Sequence, residues 1–274
     1  MISINNVSKI FGKVVALDNI SLEINEGEIF GFIGKNGAGK STTIRVLLNL
    51  LFATSGACTI DGLDCEKDNK QIKELVSYVP SETIFYDNIK VSDVLRYATQ
   101  LNNLEKDVVN NLTKFFELDV SKKINELSLG NKKKVSLVLC FAKNSKVLIF
   151  DEPTSGLDPL MKDKFFELLR QAKKEGKTVF LSSHNLDEVQ KMCDRLAIIK
   201  AGQIVKILTK KDLKKTSVQI IEYVDDAGIE HEEKFDGDIN EKIKELTKIK
   251  LQSLQIRNES LDETIKQYYE GDVL

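Results

Sequence analysis

The sequence predicts an α/β fold: a core of short buried strands and helices, with an antiparallel β portion before it, a helical insertion within it and a small α+β appendage after it. Three stretches carry that prediction. Residues 28–51 read as strand, glycine-rich loop and helix. They hold the apolar run Ile29-Phe30-Gly31-Phe32-Ile33, then Gly34-Lys35-Asn36-Gly37-Ala38-Gly39-Lys40-Ser41, then Thr42 and apolar residues at helical spacing. A second apolar run, residues 147–150, stops at Asp151-Glu152-Pro153, and another strand, residues 178–182, stops at Ser183-His184. Fully apolar runs of this length, alternating with helical stretches, are the pattern of strands covered on both faces.

Taken in order, residues 2–26 alternate through Ile2, Ile4, Val14-Val15, Ile20, Leu22 and Ile24, which predicts antiparallel strands with a turn at Phe11-Gly12-Lys13. After the glycine-rich loop and its helix come a strand ending at Cys58-Thr59-Ile60, a turn at Asp61-Gly62, a helix over 70–76 and a strand over 76–79. The spacing of Val94, Leu95, Ala98, Leu101, Val108, Leu112, Phe115 and Phe116 is helical, so an all-helical insert covers about residues 90–145. A helix over 159–175 stops at Gly176, Asn185 is placed to cap the next helix, and residues 195–208 read as a hairpin around Ala201-Gly202. These elements make one domain of residues 1–208. Residues 209–274 differ in charge, with 11 Lys/Arg against 16 Asp/Glu where the preceding residues carry 29 against 26. Runs at 218–224 and 251–256 read as strands there, and runs at 239–247 and 261–268 as helices.

Composition narrows the function. The 274 residues are 42% hydrophobic and 30% charged, as in a globular protein. No run of about 18 uncharged apolar residues is present, so no bilayer-spanning helix is expected, and the N-terminus lacks the pattern of a signal peptide. A net charge of −2 gives no general attraction to nucleic acid, which is not expected as a partner. Lys132-Lys133-Lys134 reads as a solvated helix face, and His231 as a surface residue. Cys58, Cys65, Cys140 and Cys193 show no metal-ligand spacing, so neither a zinc site nor a disulfide framework is expected.

The loop at residues 34–41 fits G-x-x-x-x-G-K-[ST] between a strand and a helix. Gly34, Gly37 and Gly39 allow the backbone to curl with its N–H groups inward, and the following helix adds its positive end. Lys40 is placed to reach the β- and γ-phosphates of a nucleoside triphosphate, and Ser41 to offer its hydroxyl to Mg²⁺. Asp151 ends a strand, where a ligand of an open α/β sheet collects, and is a second candidate for Mg²⁺; Glu152 is the candidate for polarising the attacking water. His184 ends the next strand and is placed to meet the γ-phosphate. In Leu127-Ser128-Leu129-Gly130-Asn131, a serine and a glycine open a helix. This reads equally as a second phosphate cradle, serving the nucleotide of another copy, or as a plain helix cap.

Together these motifs resemble the nucleotide-binding subunit of an ABC transporter, and the resemblance covers about residues 2–208. Residues 34–41 look like its Walker A loop and residues 147–151 its Walker B strand. Ser155-Gly156-Leu157-Asp158 looks like its D-loop, residues 127–131 its signature, His184 its switch histidine and Phe11 its adenine-stacking aromatic. The resemblance implies a P-loop NTPase with a RecA-like core that binds ATP and Mg²⁺. ATP would be held by Phe11, Gly34, Lys35, Asn36, Gly37, Ala38, Gly39, Lys40, Ser41 and Thr42, and by Ser128 and Gly130. Ser41 and Asp151 would hold the metal, with Glu152 and His184 catalytic. It also implies head-to-tail pairing with a second copy or a homologous ATPase subunit, a separate transmembrane permease and a place at the cytoplasmic face of the membrane. Leu129 in the signature and the segment Glu259-Ser260-Leu261-Asp262-Glu263 are similar to the ABC-2-type, drug and lantibiotic exporter branch. One departure stands out: Ser81, followed by Glu82, occupies the position of the family's Q-loop glutamine. The other readings of such a cassette are an importer ATPase and a soluble ATPase acting on ribosomes or DNA. The single cassette and the acidic tail weigh against the soluble reading.

Overall fold

The strand, loop and helix of residues 29–47 sit inside a six-stranded sheet in the computed structural model, which describes residues 1–214 and 219–258. In chain order the elements are β1 (Ile2–Phe11), β2 (Val14–Ile24), β3 (Ile29–Ile33), α1 (Lys40–Leu47), β4 (Ser55–Ile60), β5 (Leu63–Asp64), α2 (Asn69–Leu75) and β6 (Val76–Val79). Then follow α3 (Val91–Leu101), α4 (Lys106–Phe115), α5 (Leu129–Ala142), β7 (Val147–Asp151), α6 (Pro159–Lys174), β8 (Thr178–Ser183), α7 (Leu186–Met192), β9 (Arg195–Lys200) and β10 (Gln203–Thr209). The described residues end with α8 (Lys210–Lys214), β11 (Gln219–Asp225), β12 (Glu230–Phe235), α9 (Ile239–Leu246) and β13 (Leu251–Asn258). Contacts divide it into two units, Met1–Ile207 and a second beginning at Leu208.

In the first unit the large sheet has the order β10-β9-β3-β8-β7-β6. β3 runs parallel to β8 and β9, and β7 parallel to β8 and β6. Every residue of β3, β7 and β8 is buried, which is why the central residues of these strands are apolar without alternation. All three carboxyl ends point the same way, so the glycine loop, Asp151-Glu152 and His184 converge. The second sheet has the order β2-β1-β4-β5. Its register sets Ile2 opposite Ile24 and Ile4 opposite Leu22, and these four join Phe30, Phe32, Ile44, Leu47 and Phe180 in one buried cluster. Full burial of each such side chain stabilises the fold by about 1.5–3 kcal/mol, so the anchoring of β3 and α1 is set by this cluster rather than by helix propensity.

Several expectations change. Phe11 belongs to β1 and pairs with Val14, so the turn is only Gly12-Lys13. The lysine run is not a solvated face: Lys133 and Lys134 are 3% and 8% exposed, because α5 packs against α3, α4 and β6. Asn185 does cap α7, accepting from the Glu188 N–H.

In the second unit β12 pairs with β11, which also pairs with β13. β12 has the sequence Glu-His-Glu-Glu-Lys-Phe, whose charges hid it from a reading based on apolar alternation. His231 is not a bare surface residue: its ring stacks on Tyr223 with centroids 4.6 Å apart, and Nε2 lies 3.0 Å from Asp225 Oδ2. The helix expected over 261–268 and the segment 259–263 lie outside the described residues.

Candidate functional site

The loop from β3 to α1 closes in a way only glycine permits at one point. Gly39, immediately before α1, has φ of 113°, and a Cβ there would lie 2.8 Å from Leu17 and 2.9 Å from the Ala16 carbonyl. The loop thus packs tightly against β2 while its outer side borders a cavity of about 470 Å³. Among the residues lining that cavity are Lys35, Asn36, Gly37, Gly39, Lys40, Ser41, Thr42, Glu152 and His184, all expected at the site from sequence. Gly34 and Ala38 complete the loop behind them. Ser81, at the glutamine position, and Glu82, which follows it, line the cavity too. Ser155, the first residue of the segment resembling the D-loop, lines it as well, and Ala16 is a lining residue that sequence reasoning did not select.

The charged groups form a chain. Lys40 Nζ donates to the carbonyls of Gly34 and Lys35 at 2.6 and 3.3 Å and lies 3.2 Å from Glu152 Oε1. Glu152 Oε2 in turn lies 2.7 Å from His184 Nδ1. Glu152 holds this position with φ of 50°, in the left-handed region, and its N–H is directed at the Ser182 carbonyl. Asp151 is fully buried, and its Oδ1 accepts a hydrogen bond from Ser182 Oγ at 2.6 Å. Its Oδ2 is buried with no hydrogen-bond partner among the described residues. A buried carboxylate oxygen left without a partner is costly unless a cation or donor meets it. Asp151 and Ser41 offer only hard oxygen donors, the set that suits Mg²⁺. Ser182 was missed from sequence, yet a signal existed: β7 and β8 turn from apolar to polar at the same row, where Asp151 pairs with Ser182.

Asp151, Gly34 and Ala38 are not in the cavity lining but adjoin residues that are, whereas Phe11, Ser128 and Gly130 stand apart from it. Phe11 is 46% exposed, with Lys9 Nζ 4.9 Å from its ring centroid. Ser128 caps α5, its Oγ accepting from the Asn131 N–H at 3.3 Å. Gly130 lies against the loop after β7, where a Cβ would come within 2.2 Å of the Gly156 carbonyl.

A family model described as ABC transporter matches residues 17–155, about half of the chain. The chain belongs to the ABC transporter family. An uncharacterized ABC transporter ATP-binding protein of Methanocaldococcus jannaschii is 36% identical over 82% of this chain and 83% of its own length. The ABC transporter ATP-binding protein YtrB of Bacillus subtilis is 31% identical over 89% and 80%. Among solved structures, an ATP-binding subunit of an ABC transporter superposes with a TM-score of 0.72 at 27% identity, covering 78% of this chain and 92% of that one. The protein is thus an ATPase of ABC type.

In this ABC ATPase the buried Lys133 is tied to the segment that carries Ser81. Its Nζ donates to the carbonyls of Pro80 and Ser81, both at 2.7 Å. Burial pulls the ammonium pKa down from its usual value, and the nearby carboxylates of Asp151 and Glu152 oppose that shift. The contact was missed because a lysine triplet reads as solvent-facing. Lys133→Met is expected to lower stability by about 1–3 kcal/mol, the cost of leaving carbonyls without their donor. Urea unfolding of the full chain measures this; an unchanged midpoint would show that the two bonds contribute nothing net.

Proposed function

We propose that this ATPase powers export through a separate transmembrane permease, two cassettes closing head to tail on ATP. The second cassette is another copy or a homologous ATPase subunit. The observation that carries this reading is the half-built site. Residues of the Walker A loop, Glu152 and His184 line one cavity, with the buried Asp151 next to Glu152 in the chain, while Ser128 and Gly130, the second anion-binding element, are absent from its lining. A cassette that turns this element toward a partner's nucleotide completes the partner's site and has its own completed in return.

The chemistry follows from the charged chain. Lys40 is held by two loop carbonyls and Glu152, and incoming phosphate oxygens compete for its ammonium. Glu152, relieved of Lys40, is left with a free carboxylate oxygen to accept the proton of the attacking water as its oxygen bonds to the γ-phosphorus and the bond to the bridging oxygen breaks. His184 fixes the orientation of that carboxylate through Nδ1. Ser41 and Asp151 would hold Mg²⁺, which when bound neutralises phosphate charge. Phe11, exposed at the end of β1, offers the adenine a stacking face.

The permease-facing surface is read from the segment after Ser81-Glu82, where Ile84 and Tyr86 are 88% and 86% exposed. Large apolar side chains left in solvent mark a contact surface. No helix among the described residues is long and apolar enough to cross a membrane, so the chain would sit at the cytoplasmic face through its permease. The Ser-Leu-Gly form of the signature supports the exporter branch. Co-purification of the full chain tests the pairing: a membrane protein retained in detergent and lost in the Ile84→Asp/Tyr86→Asp variant is expected, and co-purification with ribosomes instead would overturn it. ATP-driven accumulation of substrate in inside-out vesicles is expected for export; accumulation in right-side-out vesicles would overturn the direction.

A further inference from the structure

Cys58 and Cys65 meet across the β4–β5 hairpin. The turn at Asp61-Gly62 sets Ile60 opposite Leu63 and Thr59 opposite Asp64. The next facing pair is Cys58 and Cys65, and the Cys65 N–H donates to the Cys58 carbonyl at 3.0 Å. Opposed residues of a hydrogen-bonded antiparallel pair have Cα atoms about 5.5 Å apart, within the window of about 4.4–6.8 Å that a disulfide spans. Both cysteines are free thiols and both are buried. Their sulfurs share a hydrogen bond that holds Cys58 below its ordinary pKa and, with burial, pushes Cys65 up. One sulfur is thereby the better thiolate and the other keeps its proton, the division of labour of an attacking and a resolving thiol.

Access decides which oxidant can act. Both cysteines line a cavity of about 60 Å³ whose wall includes Val46 near the end of α1 and the exposed Phe52. A water occupies about 30 Å³ of liquid, so a small oxidant with two heavy atoms, such as hydrogen peroxide, fits and a tripeptide disulfide does not. Cys140, whose thiol burial pushes up to about 12, lies in α5, and Cys193 follows α7.

We propose that Cys58 and Cys65 form a peroxide-sensitive dithiol that closes to an intrachain disulfide. The Cys58 thiolate attacks one peroxide oxygen and the O–O bond breaks. The departing oxygen takes up a proton as water, and Cys58 is left as sulfenic acid. The Cys65 sulfur then bonds to the Cys58 sulfur, and the sulfenic hydroxyl leaves with the Cys65 proton as a second water. The two thiols lose two electrons and the peroxide gains them; a thiol reductant reverses the step.

The test exposes the full chain to hydrogen peroxide, denatures it, alkylates it and maps the peptides by mass. The expected result is loss of two of the four alkylatable thiols, a Cys58–Cys65 linked peptide and full recovery with dithiothreitol. Cys58→Ser and Cys65→Ser should each prevent the cross-link, whereas Cys140→Ser should leave it. If a serine variant fails to fold, the peptide map of the unaltered chain still decides. Four alkylated thiols after peroxide, or a cross-link through Cys140 or Cys193, would overturn the proposal, as would closure by oxidised glutathione as fast as by peroxide.

Discussion

Glu152→Gln is expected to bind ATP with near-normal affinity and to hydrolyse it about 10²–10⁴-fold more slowly, the usual contribution of a positioned general base. Gln keeps the shape of the side chain, and its amide oxygen accepts from His184 Nδ1–H as the carboxylate does, but it cannot take a proton from water. The variant also replaces the anionic partner of Lys40, 3.2 Å away, with a neutral one. Lys40 is then more available to phosphate, so binding is spared while turnover fails. A species that binds and does not hydrolyse accumulates as the closed pair, and size-exclusion chromatography with and without ATP shows it as a shift to twice the mass. Turnover at the unaltered rate would remove Glu152 from the chemistry; slow turnover with no dimer would separate the base from the head-to-tail reading.

Lys40→Met is expected to have the opposite signature. Hydrogen bonds to a charged group contribute about 1.5–3 kcal/mol each, and every 1.4 kcal/mol is about tenfold in affinity. Loss of the ammonium therefore weakens ATP binding by roughly 10–150-fold before turnover is considered. The nucleotide-free fold should change less than the burial of Lys40 suggests. Its partner Glu152 retains His184, so the buried carboxylate is not abandoned. Calorimetric titration with ATP and Mg²⁺ reads the affinity. Unchanged affinity would mean that the loop backbone alone carries the phosphate contacts.

The parts of the site legible in the sequence were those whose chemistry and spacing are local. Residues 28–51 carry strand, glycine turn and helix in one stretch, and six of the eight loop residues 34–41 line one cavity through that local geometry. Asp151-Glu152 and His184 were legible because each ends an apolar strand, and parallel strands bring their ends to one edge. What was not legible depends on register or on long-range packing. Ser182 matters because β8 is the neighbour of β7 and aligns it with Asp151. Lys133 is buried because α5 lies under the end of β6, which no charge pattern announces. The network of Thr154 and Lys162 around Glu188, at 2.6 and 2.8 Å, joins three elements distant in sequence and has no local signature. β12 was lost for a different reason: as an edge strand in a three-stranded sheet it can afford charged residues where a central strand cannot.

The left-handed backbone at Glu152 gives this site a thermodynamic cost. A non-glycine residue there is disfavoured by roughly 1–2 kcal/mol, a sizeable share of the 5–15 kcal/mol that holds a typical domain folded. Replacing Glu152 by glycine relieves the strain and removes the base in the same step. Selection for a more robust fold and selection for turnover therefore pull this one position in opposite directions. A search for heat-resistant variants of this protein that ignores activity should drift toward glycine or asparagine at position 152, and its winners should be poor ATPases.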